Sequence, residues 1–324
     1  MRTIRSDLLL AILFGLVFPG ILLNLLVFPQ KYPTVTEFTH SSCDEPVEKV
    51  EISIRVRFED GAVTEMDMDS YLVGVVLAEL PASFEQEAKK AQAVAARTFA
   101  LRAKTTGGKH DDGSVCTSSG CCQAYTSVED YYSRGGKAES VKSAEEAVLE
   151  TSGQVLTYDE KLIQANYFSC SGGRTEDAVA VWGTDVPYLR AKESPGEEAA
   201  KHYTDVVTFS AEEFNEAMGT ELAGDPQKWF GMTTYTSGDG VATMQIGGKT
   251  YQGTQLRSML GLRSTAFAVE VVSGEIRITT KGFGHRVGMS QYGADAMAAG
   301  GSSYREILAY YYPGTQLIRA EGEN

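Results

Sequence analysis

LAELPASFEQEAKKAQAVAARTFALRAK, residues 77–104, is the stretch whose reading decides the fold. Pro81 has no amide hydrogen and disfavours helical backbone in the residue before it. A helix with Leu72, Val76 and Leu77 on its apolar face must therefore stop just after Glu79. Asp69 or Ser70 is the predicted cap at its start. Ser83 followed by Gln86 has the spacing of a capping box, and the alanine-rich run behind it predicts a second helix reaching about Lys104. The outcome is a helix–proline–helix corner with a glutamate at the end of its first arm.

Upstream, Ile52, Ile54, Val56 and Phe58 alternate with Ser53, Arg55 and Arg57, the pattern of a half-buried strand. Asp60-Gly61 is a hairpin turn signal, with a return strand through Met66. Downstream, residues 105–123 read as a loop, 138–150 as a helix, and 154–158 with 162–168 as a strand hairpin. Ser169-Cys170-Ser171-Gly172-Gly173 breaks the second of these strands into a loop, a common setting for functional side chains. Residues 193–263 are less periodic and more acidic, with short helices near 210–217 and 254–260, which predicts a smaller inserted subdomain. Strands at 266–272 and 276–280, a glycine-broken turn at 282–288, and helices near 289–299 and 303–311 close the chain. The predicted class is α+β, with helices and antiparallel strands sharing a core over residues 50–320.

With 324 residues, 43% of them hydrophobic, the chain has the composition of a globular protein. A formal charge of -14 argues against a general polyanion binder, so no nucleic-acid partner is expected. Residues 8–28 carry no charge and, at 1.5 Å per residue, reach roughly the 30 Å of a bilayer's hydrocarbon core. They read as a transmembrane anchor, without the small-residue site at which a signal peptide is cleaved. Arg2 and Arg5 precede the run and only Lys31 follows it closely, which puts the N-terminus in the cytoplasm and the remainder outside. The predicted organisation is a cytoplasmic tip and anchor at 1–30, a linker at 31–49 containing Pro33 and Pro46, and an extracytoplasmic domain at 50–320.

Several side chains could carry chemistry. Glu79 faces the negative end of a helix dipole between Leu77 and Leu80, and both effects hold a carboxyl toward protonation, as a general acid requires. A solvated surface glutamate is the plainer alternative. Lys90 and Arg97 are seven residues apart on one helical face, with Arg97 embedded among Ala93, Val94, Ala95, Ala96 and Phe99. They are cations near a substrate, or members of structural ion pairs. His110, Cys116 and Cys122 form a His-x5-Cys-x5-Cys set suited to zinc with a fourth position open, while a disulfide from Cys116 to Cys121 or Cys122 uses the same thiols. Cys170 with His285 as its base is a candidate nucleophile pair, against the plainer reading of Cys170 as a small buried apolar residue.

Six blocks carry a resemblance. They are residues 77–84, 87–100, Tyr167-Phe168-Ser169-Cys170-Ser171-Gly172-Gly173-Arg174-Thr175-Glu176, 256–264, Gly284-His285-Arg286-Val287-Gly288-Met289-Ser290-Gln291-Tyr292-Gly293-Ala294, and 310–315. In this order they resemble the stage II sporulation protein D family, the SpoIID/LytB domain of lytic transglycosylases. The resemblance implies that Glu79 is the acid/base of an enzyme cleaving the MurNAc-GlcNAc bond of peptidoglycan glycan strands, stripped of stem peptides, to give 1,6-anhydro ends during engulfment in sporulation. It implies substrate binding or site support by Lys90, Arg97, Tyr167, Ser171, His285, Gln291 and Tyr292. It also implies zinc on His110, Cys116 and Cys122, in a structural or substrate-orienting role. The implied partners are an amidase, stage II sporulation protein P, and a membrane scaffold, stage II sporulation protein M, at the engulfing membrane of the mother cell. A non-catalytic glycan-binding activator of an amidase is the alternative from the same kinship. Two departures stand out: an extra thiol at Cys121, and Arg286 where the family pattern has glycine.

Overall fold

The computed structural model describes residues 49–320 and residue 322; the predicted anchor at 8–28 and linker residues 31–48 lie outside these. Among the described residues no helix is long and apolar enough to cross a membrane. The class is α+β.

The central element is the helix Gln86–Thr106. Ala88, Ala91, Ala93, Ala95, Ala96, Ala100 and Ala103 are all buried along it, so the small side chains let neighbours close on several faces at once. Helices Met68–Glu79, Ala138–Glu150, Gln291–Ala299 and Tyr304–Tyr311 pack against it. The first helix ends at Glu79 as Pro81 requires, but its cap is Asp67, whose carboxylate accepts from the Ser70 amide. Asp69 is already committed to Arg97 and Ser152. Nor does the predicted Ser83–Gln86 box form. Residues 81–84 make a turn, Glu85 stands at the cap position without a side-chain bond, and Gln86 bonds Ser143 on the helix Ala138–Glu150.

The strand Ser53–Arg57 pairs antiparallel with Val63–Asp67, as the Asp60-Gly61 signal predicts. On its other side it takes the two-residue strand Val115–Cys116 in parallel, inside what reads in sequence as a loop. The predicted strand over 162–168 is two pieces. Lys161–Leu162 completes a hairpin with Gln154–Tyr158, whereas Tyr167–Phe168 runs parallel to Met289–Ser290. Gly288 permits that crossing: a Cβ there would lie 2.1 Å from the Asn166 carbonyl oxygen, and its φ of +84° is one that glycine adopts freely.

A second hydrophobic core gathers Phe214, Trp229, Met244, Leu256, Phe267 and Ile278. Its sheets are Lys249–Gln252, Val241–Ile246, Phe230–Tyr235 and Ala266–Val272, Glu275–Lys281, Thr204–Phe209. This core therefore extends beyond residue 263, the limit drawn from sequence, because the strands at 266–281 pair back onto Thr204–Phe209.

Candidate active site and its His/Cys cluster

Glu79 is the last residue of its helix and lines a cleft of about 780 Å³. Gly74, one helical turn and a residue earlier, controls what reaches it. A Cβ there would meet the Tyr125 ring at 2.3 Å and the Thr126 carbonyl oxygen at 2.6 Å, so only glycine lets the segment after Cys122 lie against the helix. That segment brings the Ala124 amide to donate to Glu79 Oε1 at 2.7 Å. Gln291, first residue of the helix Gln291–Ala299, donates to Oε2 at 3.1 Å. Tyr167 accepts from Gln123 Nε2 at 2.8 Å and turns its own hydroxyl toward the carboxylate. Burial raises the Glu79 pKa above its ordinary value, and the bonds from Ala124, Gln291 and Tyr167 only partly offset it.

His285 also lines the cleft, its ring set between Phe168 and Trp182. Burial, with the charges of Arg257 and Lys109, pulls its pKa down to about 4, so the imidazole is neutral and accepts from the Val287 amide on Nδ1. Cys170 is not its partner. The thiol is fully buried, bonded to the His202 carbonyl, and pushed up to about 11, chiefly by burial. A thiol so held is a core residue and not a nucleophile.

Of the other residues read from sequence, Tyr167 and Gln291 meet at Glu79, and Lys90, Arg97, Ser171 and Tyr292 lie apart from the cleft. Lys90 pairs with Glu87 and Glu150 at 2.7 and 2.5 Å. Arg97 is fully buried, paired with Asp69 at 3.1 Å and donating to the Val148, Thr151 and Gln154 carbonyls. Asp69 and Glu79 sit at opposite ends of one helix, about 15 Å apart at 1.5 Å per residue, so Arg97 secures the helix from the far end. Ser171 donates to Glu197 in a separate buried network. Tyr292 sets its ring edge-on to Phe84 and supports the proline corner. Arg286 takes a left-handed φ of +66°, a conformation natural to the glycine that the resemblance leads one to expect there. Its guanidinium offsets the strain by donating to the Ser171 and Arg174 carbonyls at 2.9 and 2.7 Å.

His110, Cys116, Cys121 and Cys122 converge, with one ligand atom from each lying within 4.8 Å of all the others. Cys121 is thus a member of the set and not a spare thiol, and no disulfide forms among Cys116, Cys121, Cys122 and Cys170. Cys121 Sγ is 3.7 Å from His110 Nε2 and 3.9 Å from Cys122 Sγ. Tetrahedral zinc with Zn–S near 2.3 Å and Zn–N near 2.0 Å has ligand-to-ligand edges of about 3.5–3.8 Å, so the donors fit that ion. Burial works against ionising Cys116, but the Ser118 amide, His110 and the two neighbouring thiols bring it down to about 6. Burial first, and Cys116 next to it, push Cys122 up to about 12. A bound cation relieves that conflict. Cys121 and Cys122 also line the cleft, so the cluster forms part of its wall.

Sequence reasoning missed the Ala124 amide, Gln123, Trp182 and the part played by Cys121. Backbone donors carry no sequence signal, whereas the Cys121-Cys122 pair, eleven and twelve residues after His110, does.

Fold and site together define an α+β protein with a glutamate cleft walled by a His/Cys metal-type cluster. The family model described as "Stage II sporulation protein" matches residues 59–158. Stage II sporulation protein D of Bacillus amyloliquefaciens is 40% identical over 270 residues, covering 82% of this chain and 78% of that one. The protein of the same name from Bacillus subtilis is 39% identical over 275 residues, covering 83% and 80%. An amidase enhancer of Bacillus subtilis is 31% identical over 299 residues, and the match spans 40% of its length. The chain belongs to the stage II sporulation protein D family.

Proposed function

We propose that this chain is a lytic transglycosylase that cleaves the MurNAc-GlcNAc bond of peptidoglycan strands during engulfment, with Glu79 as the single acid/base. One observation carries the reading: Glu79 is the only carboxylate among the described residues that line the cleft, and its pKa is raised. A hydrolase of the usual kind needs a second carboxylate to activate water or attack the sugar. A lone carboxyl suits an internal nucleophile. Protonated Glu79 gives its proton to the glycosidic oxygen as the bond to the anomeric carbon breaks. The resulting carboxylate takes the proton of the muramyl C6 hydroxyl as that oxygen bonds to the same carbon. The proton on Glu79 is restored and no water is consumed. Ala124, Gln291 and Tyr167 hold the carboxylate between these steps at some cost to its basicity, which burial keeps above the ordinary value.

The test is product identity. Incubated with peptide-free strands, the full chain is expected to release fragments one water lighter than hydrolytic products, as read by mass spectrometry. Reducing ends with water added would overturn the reading. The 31% identity to an amidase enhancer supports the second reading, a glycan-binding activator of an amidase. Strand binding without anhydro ends would favour it. The rest of the proposal is an anchor at residues 8–28 with the domain outside the cell membrane. The partners are a peptide-stripping amidase such as stage II sporulation protein P and the scaffold stage II sporulation protein M.

For the cluster we propose zinc held by His110, Cys116, Cys121 and Cys122. Bound there it supplies rigidity to the cleft wall, since four protein ligands leave no open position for water. Metal analysis of the chain purified without chelator is expected to find about one zinc per chain. Cys121→Ser is expected to lower both zinc retention and the melting temperature. A disulfide within the cluster of the native protein, together with negligible zinc, would overturn this.

A further inference from the structure

The cleft carries an electrostatic imbalance that the acid/base chemistry does not use. The chain has a formal charge of -14, yet the cleft is lined by two cations, Lys109 and Arg257, against the single carboxylate of Glu79. Arg257 comes from the helix Gly253–Met259, an element of the second core, and lines the same cleft as Glu79. It is half-buried, and its one side-chain hydrogen bond runs from Nε to the Leu262 carbonyl at 3.4 Å. No carboxylate of the described residues lies within ion-pair distance of it. Burial alone lowers its pKa, with no acid to offset the effect. Arg257 is not the counter-ion of Glu79 either, because the groups that set the Glu79 pKa include no cation. Lys109 donates to the Cys121 carbonyl, and both cations are near enough to His285 to depress it. A guanidinium partly removed from water without an acidic partner is costly in the free protein and ready for an anion that offers two oxygens.

On the proposed substrate the nearest such group is the lactyl ether of muramic acid. Where a stem peptide is attached, its carboxyl is tied up in an amide and is neutral. Where the peptide has been removed, it is a free carboxylate. We infer that Arg257, with Lys109 in the same cleft, forms an anion subsite that takes the lactyl carboxylate of a peptide-free muramic acid residue. The inference rests on the glycan-strand reading above and adds to it the residue that distinguishes bare strands from peptide-bearing ones. It also gives the second core a task, since that core carries the helix from which Arg257 projects.

The experiment measures equilibrium binding to the full chain carrying Glu79→Gln, which stops turnover. Three probes are used: peptide-free strands, the same strands with the lactyl carboxyl reduced to an alcohol, and peptide-bearing strands. Peptide-free strands are expected to bind at least about ten-fold more tightly than the reduced ones, in line with a charge-assisted bidentate contact. Adding Arg257→Gln is expected to bring the first affinity down to the second while leaving the reduced strands unchanged. Arg257→Lys should restore part of the difference, because it keeps the charge and loses the fork. An unchanged ratio in Arg257→Gln overturns the inference alone and leaves the glycan-strand reading standing. Tight, Arg257-dependent binding of peptide-bearing strands also overturns it, by assigning the subsite to a stem-peptide carboxylate. Binding of none of the three strands overturns the inference together with the function on which it rests. A melting temperature that is the same for the Arg257 variants and their parent separates a lost contact from a lost fold.

Discussion

Glu79→Gln is expected to lower the release of anhydro ends by about 10³-fold or more, since one carboxyl both gives and takes the proton and such a role alone contributes typically 10²–10⁴. The fold should survive. Folded Glu79 holds its proton more tightly than the unfolded chain does. The stability arising from that difference is fully present below the ordinary glutamate pKa and is lost as pH rises through the raised one. Above the raised pKa the folded protein bears a carboxylate partly removed from water, and glutamine removes that burden, so in that range the variant should melt at or above the wild-type temperature. Wild-type rates should fall as pH rises through the elevated Glu79 pKa, where the general acid is lost. Initial rates on peptide-free strands against pH, with calorimetry of both proteins, check these points. A folded Glu79→Gln protein with wild-type turnover would remove Glu79 from the chemistry.

Arg97→Met is expected to act through the fold. The substitution leaves Asp69 with only Ser152 as a partner and takes donors from the Val148, Thr151 and Gln154 carbonyls. Breaking a buried ion pair from one side costs about 3–5 kcal/mol, which in a domain of this size is a fall of roughly 10 °C in melting temperature. Arg97→Lys should recover little, because a single ammonium cannot replace a planar fork that reaches an aspartate and three carbonyls. Thermal unfolding followed by circular dichroism reads the effect. A variant that melts at the wild-type temperature but has lost activity would instead return Arg97 to the site.

These two residues show where the sequence was legible. Glu79 was readable because its position follows from local causes: Pro81 stops the helix, and apolar neighbours raise a carboxyl's pKa. Arg97 was readable as a buried cation and a candidate for a structural ion pair, but which groups it meets was not, since Asp69, Val148 and Thr151 come from other stretches. Cys121 looked surplus for the same reason. Spacing along a loop does not reveal that the chain turns back at Ser118 and brings both neighbouring thiols toward His110.

The sequence by itself determined the helix–proline–helix corner, the helix at 138–150, the hairpin about Asp60-Gly61 and the candidate acid, because each depends on residues within a few positions of one another. Tertiary structure alone decided the cap at Asp67, the parallel pairing of Tyr167–Phe168 with Met289–Ser290, the donors on Glu79, the fourth member of the His/Cys cluster and the arrival of Arg257 in the cleft. The physical reason is range: dihedral preferences and periodic burial act between near neighbours. Hydrogen-bond partners and uncompensated charges are settled only when separate segments pack together, Gln291 and Glu79 being 212 residues apart, and even a ligand set confined to residues 110–122 depends on how its loop turns.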